Sequence, residues 1–157
     1  MELATRRVLF AGCTPNPDES WMYQAARNLS DAEDGFLRGK KYLLMDRAAK
    51  FSEAFRVTLE QVGTEAVRLP PRSPDLNPNL ERFMRSVKGE CLERMVFFGA
   101  LQVAVVAFLV HYHQERNHQG LDNRLIEPGE EVGHTTGEVA CRERLGGILR
   151  YYYRKAA

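Results

Sequence analysis

A mixed α/β domain is the fold class this sequence predicts. Short β-type runs alternate with amphipathic helical stripes through its first two-thirds, and turn-forming residues separate one from the next. At 157 residues and 44% hydrophobic content the chain can bury a real core. Arg7 to Gly12 (RVLFAG) reads as a strand closed by Thr14-Pro15-Asn16-Pro17. Asp18 or Ser20 caps the first helix, in which Trp21, Met22, Ala25, Ala26 and Leu29 form one stripe. A polar loop, Gly35 to Lys40, leads to Tyr42-Leu43-Leu44-Met45, an apolar run typical of a strand covered on both faces and ending on Asp46. Phe51, Phe55, Leu59 and Val62 mark a second helix stopped by Gly63, and Glu65 to Leu69 gives the next strand.

A Pro-rich loop follows, and Asn77-Pro78 opens a third helix with Asn as cap and Pro at the first helical position. Leu80, Phe83, Met84, Val87 and Cys91 fall on one face of it, with Glu81, Arg85 and Lys88 on the adjacent face. A fourth helix runs from about Ala100 to His118. The chain is then loop-like until a hairpin over Arg144 to Tyr153, turning at Gly146-Gly147.

The 22 basic and 21 acidic residues leave a formal charge of +1, which excludes a polybasic tail or an acidic disordered segment. A local basic groove fits inside such a neutral total. Three scattered cysteines (Cys13, Cys91, Cys141) make neither a disulfide framework nor a CxxC metal site, so a reducing interior is expected. The opening residues lack the order of a signal peptide. Met95 to Val110 is apolar over sixteen residues, short of the roughly 20 that a spanning helix needs, and reads as a buried or partner-facing helix.

Asp46 ends a central strand, where open α/β sheets expose functional groups, and Glu81 stands thirty-five positions later in the first turn of a helix. Two hard carboxylates beside positive charge suit Mg²⁺ held with substrate phosphates. The residues alone favour the plainer reading, a turn-capping Asp and an ordinary i,i+4 pair of Glu81 with Arg85.

The stretches YLLMDRAAKFSEAF, VRLPPRSPDLNPNLERFMRSVKGECLERMVFFG and HYHQERNHQGLDN resemble the catalytic core of bacterial insertion-sequence transposases related to retroviral integrases. That resemblance implies a ribonuclease-H-like mixed sheet flanked by helices and carrying a DDE triad, with thirty-five residues between the second and third acids. Asp46 matches the second acid and Glu81 the third, so both are the expected catalytic and metal-binding residues. Arg85 and Lys88 match helix positions facing DNA phosphates, and Arg72 in the Pro-rich loop is an expected DNA contact. The implied cofactor is Mg²⁺ or Mn²⁺, two ions roughly 3.5–4 Å apart, and the implied activity is cleavage and joining of DNA strands. The implied partners are transposon ends, target DNA, and a second copy or a full-length transposase, in the bacterial cytoplasm and without a membrane.

The family's first acid lies on an opening strand upstream of a turn that here reads Glu2-Leu3-Ala4-Thr5-Arg6-Arg7. The chain is therefore expected to lack its first one or two strands and the first catalytic Asp, and to be impaired in strand transfer. Glu2 is assigned to the turn rather than to metal. The expected division is a partial integrase core over 1–120 and a C-terminal extension over 121–157. The alternative is a non-catalytic remnant that binds DNA or a partner. His111, His113 and His118 are assigned to packing and capping, since residues two apart on a helix point in different directions. The last sixteen residues carry a local charge of +4, placed equally on DNA or in solvent.

Overall fold

In the computed structural model, which describes residues 1–155 except Arg72, Pro74, Asp75, Phe98 and Ala100, four helices and four strands follow one another. They are α1 (Glu19–Leu29), β1 (Tyr42–Met45), α2 (Glu53–Glu60), β2 (Glu65–Arg68), α3 (Pro78–Glu90), α4 (Leu101–Gln114), β3 (Val139–Arg144) and β4 (Leu149–Arg154). The chain is thus mixed α/β. It groups into two compact units, Ala11–Pro78 and Met1–Phe10 with Asn79–Ala157. This spatial grouping is a different kind of division from the one expected at residue 120.

The first unit is a β1-α2-β2 crossover with α1 packed on it. Asp18, rather than Ser20, caps α1: its carboxylate accepts from the Trp21 amide at 2.8 Å, a contact worth about 1 kcal/mol. Ser52 caps α2 through the Phe55 amide at 3.3 Å. Both helices follow the apolar stripe of the sequence, and Met22, Ala26, Phe55 and Leu59 meet Met45 in one core. β1 and β2 pair in parallel, with Tyr42 opposite Glu65 and Met45 opposite Arg68, which is the pairing a helical crossover permits. Before the ladder begins, the buried Thr64 hydroxyl donates to the Lys40 carbonyl at 2.8 Å.

Two expectations change here. Gly35 to Lys40 is not a purely polar loop, because Leu37 is buried in the core and Phe36 packs against it. Gly35 permits this: a Cβ there would lie 2.4 Å from the Asp31 carbonyl oxygen, so only glycine lets the chain fold back on the end of α1. The covering of β1 is also thinner than predicted. Met45 is buried, Leu43 and Leu44 are half-buried, and Tyr42 is exposed.

In the second unit α3 and α4 pack face to face. Phe83, Val87 and Cys91 meet Ala104, Phe108, Leu109 and Tyr112, and Leu149 of β4 completes the cluster. The Phe83 ring meets Tyr112 edge-on at 5.0 Å and tilts against Phe108 at 6.3 Å, a geometry that adds to the burial itself. Met84 was expected on this face, but it lies at the stripe's margin and is exposed. The Asn77 cap is not formed either, since its buried side-chain oxygen has no hydrogen-bond partner. α4 ends at Gln114, four residues before the expected His118.

Residues 7–12 do not form a strand. Val8 and Phe10 pack on the α3–α4 core while Arg7 and Leu9 are exposed, so the side chains alternate as in a strand without a ladder. The Val8 amide instead donates to His113 Nε2 at 3.0 Å. The preceding turn forms as predicted, with the Glu2 amide donating to the Arg7 carbonyl at 2.8 Å and Thr5 Oγ1 donating to the Glu2 carboxylate at 2.7 Å. The predicted hairpin is present and longer: β3 starts at Val139 and pairs antiparallel with β4, around a turn where Leu145, Gly146 and Gly147 all have positive φ.

Candidate functional site

Asp46 follows β1 directly, in the first unit. Its side chain is exposed, and Oδ1 accepts from the Ala48 amide at 2.9 Å, which fixes the chain's exit from the strand. Next to it, Arg47 Nε donates to the Leu69 carbonyl at 3.0 Å and ties that exit to the end of β2. Arg68 is similarly occupied, donating to the Phe51 carbonyl at 3.2 Å. Arg72 lies outside the described residues.

Glu81 lies in the first turn of α3, in the second unit. A helix advances 3.6 residues per turn, so α3 carries three stripes. Phe83 and Val87 face the core. Glu81, Arg85 and Lys88 are exposed together on a second stripe, and Asn79, Arg82 and Ser86 form a third. The i,i+4 ion pair of Glu81 with Arg85 is not formed. Lys88 instead pairs with Glu93 at 3.6 Å, with both side chains largely exposed, so this contact is weak and replaceable. The stripe therefore offers one carboxylate and two cations to solvent.

The donor chemistry of Asp46 and Glu81 suits a hard cation. Among the described residues no group of three or more His, Cys, Asp or Glu side chains is arranged to hold a metal ion, and one Asp46 oxygen is already engaged by an amide.

Sequence reasoning missed the strongest electrostatic feature, which centres on Glu115. Its side chain has no exposure to solvent. Arg144 grips it from β3 with Nη2 at 2.6 Å and Nε at 3.0 Å, Arg142 adds Nη1 at 3.2 Å, and His111 Nδ1 lies at 2.9 Å. Burial works against the charge, but hydrogen bonds from Arg144 and His111 overcome it and hold the carboxyl at about 2. The network joins α4 to the hairpin. Its signal in the sequence was the pair of arginines two apart on one strand face, opposite a lone Glu at the end of an apolar helix. The histidines keep separate partners, as expected: His111 on Glu115, His113 on Val8 and His118 on the Tyr112 carbonyl at 2.8 Å.

Residues 62–125 match the protein family described as Integrase core domain. Over this segment the chain is similar to an integrase core. The match takes in β2, α3 and α4 and ends in the turns after α4, so the stripe of Glu81, Arg85 and Lys88 lies on the central helix of the matched segment. Comparisons with curated proteins and with solved structures gave no match. The family indicates action in DNA integration or transposition in general terms. Among the described residues no helix is long and apolar enough to cross a membrane.

Proposed function

We propose that the chain acts on DNA during integration or transposition, in the bacterial cytoplasm, through a ribonuclease-H-like core. The observation that carries this reading is the integrase-core match over residues 62–125, on whose central helix Glu81, Arg85 and Lys88 share one exposed stripe. By resemblance, Asp46 and Glu81 are the carboxylates that serve Mg²⁺-dependent strand cleavage and joining, and Arg85, Lys88 and Arg72 touch DNA phosphates. When bound, the metal would activate the attacking oxygen and stabilise the leaving one. A second copy of the chain or another transposase would be its protein partner.

Binding of short duplex DNA by the 157-residue chain tests this. Affinity should fall as salt rises, because each neutralised phosphate releases counterions. The double variant Arg85→Gln, Lys88→Gln should flatten the slope of log affinity against log salt by up to about two units. An unchanged slope in that variant would remove these residues from the interface, and salt-independent binding would remove DNA phosphates altogether.

A second reading rests on Asp46, one of whose carboxylate oxygens is already engaged by the Ala48 amide. In that reading the chain binds DNA or a partner without joining strands. Asp46→Asn and Glu81→Gln then leave DNA affinity unchanged or raised, as loss of a negative charge near phosphates does. In a Mg²⁺-dependent joining assay these 157 residues alone should give little or no product. Turnover that Asp46→Asn abolishes would exclude the non-catalytic reading.

A further inference from the structure

The third stripe of α3 faces a groove of about 320 Å³ within the second unit. Its opposite wall is the end of α4 and the turn through Asn117, His118 and Gln119, and Arg6 reaches it from the N-terminal turn. Three guanidinium groups line it, those of Arg6, Arg82 and Arg116, and among the described residues no carboxylate does. Arg116 is partly neutralised by Glu90 at 2.7 Å. Arg6 donates only to a neutral carbonyl, that of Leu3, and Arg82 has no ion pair among the described residues. About two positive charges are therefore left without a counter-charge. All three are felt at one hydroxyl: burial raises the Tyr112 phenol while Arg116, Arg6 and Arg82 each pull it down. Neutral donors stand beside them in Asn79, Ser86 and Asn117. Asn79 also lies in the first turn of a thirteen-residue helix, whose amides have no intrahelical acceptor. Forked guanidinium groups with hydroxyl and amide donors, walled by an aromatic ring, make a receptor for a tetrahedral oxyanion.

We propose that this groove seats a phosphate group of bound DNA, as a second contact about a third of a helical turn from the stripe of Glu81, Arg85 and Lys88. The inference rests on the DNA reading above and adds a site to it. Arg82 makes the direct contact. Tyr112 and His118 are positioning residues, held to each other by the 2.8 Å bond from His118 Nε2 to the Tyr112 carbonyl and by edge-on rings 4.5 Å apart.

The test uses the whole 157-residue chain and two probes. Inorganic phosphate, titrated at constant ionic strength, should shift the His118 ring signals saturably in an NMR spectrum, and Arg82→Gln should weaken that response. Arg82 is exposed and unpaired among the described residues, so this variant should keep the parent circular dichroism. With short duplex DNA, Arg82→Gln should weaken binding by about five- to tenfold and lower the salt slope by about one unit, and phosphate should compete. If Arg85→Gln, Lys88→Gln weakens DNA binding while Arg82→Gln does not, the groove inference falls and the DNA reading stands. If phosphate shifts His118 but DNA does not bind at any salt, the assignment to DNA falls together with that reading. His118 signals unmoved by either probe would overturn the site itself.

Discussion

Glu115 carries a charge with no exposure to solvent, and three side chains stabilise it. Such a cluster costs little when complete and a great deal when one member is removed. Glu115→Gln should cost about 3 kcal/mol, near the lower end for a broken buried pair, because Arg142 and Arg144 keep partial access to water. The pH dependence follows from the carboxyl's position at about 2, against an ordinary value near 4.5. A folded-state value below the unfolded one gives stability that is complete above about 4.5 and is lost as pH falls towards 2. Acid unfolding of the parent should therefore steepen in that window relative to Glu115→Gln, as followed by circular dichroism. An equal acid limb in both proteins would refute the assignment. This residue was not legible as a charge centre because both arginines lie on β3, 27 and 29 positions away, and no local pattern shows that β3 packs against the end of α4. The cap of α1 was legible to within two residues, as Asp18 or Ser20, since a helix cap depends mainly on the next three residues.

At the scale of elements, sequence periodicity located α1, α2 and α3 because their buried stripes repeat locally, from Met22 and Ala26 to Phe83 and Val87, and the continuous apolar run located α4. It misjudged segments whose state depends on a distant partner. Residues 7–12 alternate as a strand does, yet the Val8 amide pairs with an imidazole 105 positions away and not with another strand. Leu37 reads as a loop residue until α1 and α2 provide its pocket. The Val8 contact requires His113 to be neutral at Nε2. Burial lowers the His113 pKa from 6.5, opposed by Glu127 and aided by Arg7 and His118. With the folded-state value depressed, the contribution is full above pH 6.5 and is lost as pH falls through the lower folded value. Hydrogen-exchange protection of the Val8 amide should then decline on acidification below pH 6.5. His113→Gln, which cannot titrate, should show no such decline. Protection that is flat in the parent would disprove the coupling.

On the scale of the whole chain, each compact unit has its own core, one built on Phe55 and Leu59 and the other on Phe108 and Phe83. The integrase-core match begins at residue 62 in one unit and ends at residue 125 in the other, so the family signature follows the sequence and not either core. Phe108 is fully buried, and Phe108→Ala should cost about 3–5 kcal/mol in the second unit. Trp21, the only tryptophan, packs on the core of the first unit and reports on it by fluorescence. In urea, the Phe108→Ala circular dichroism transition should move to lower concentration while the Trp21 midpoint holds. If the two midpoints move together, the cores unfold as one.

The three cysteines are all free, and they differ in access. Cys13 is exposed in the first unit and Cys141 on β3 of the second, whereas Cys91 is enclosed between α3 and α4, where burial raises its thiol pKa. A thiol reagent acts on the exposed thiolate and passes over a buried thiol. The unaltered protein therefore carries one chemical handle in each unit for a dye or a spin label, and Cys91 stays silent for as long as the second core remains closed.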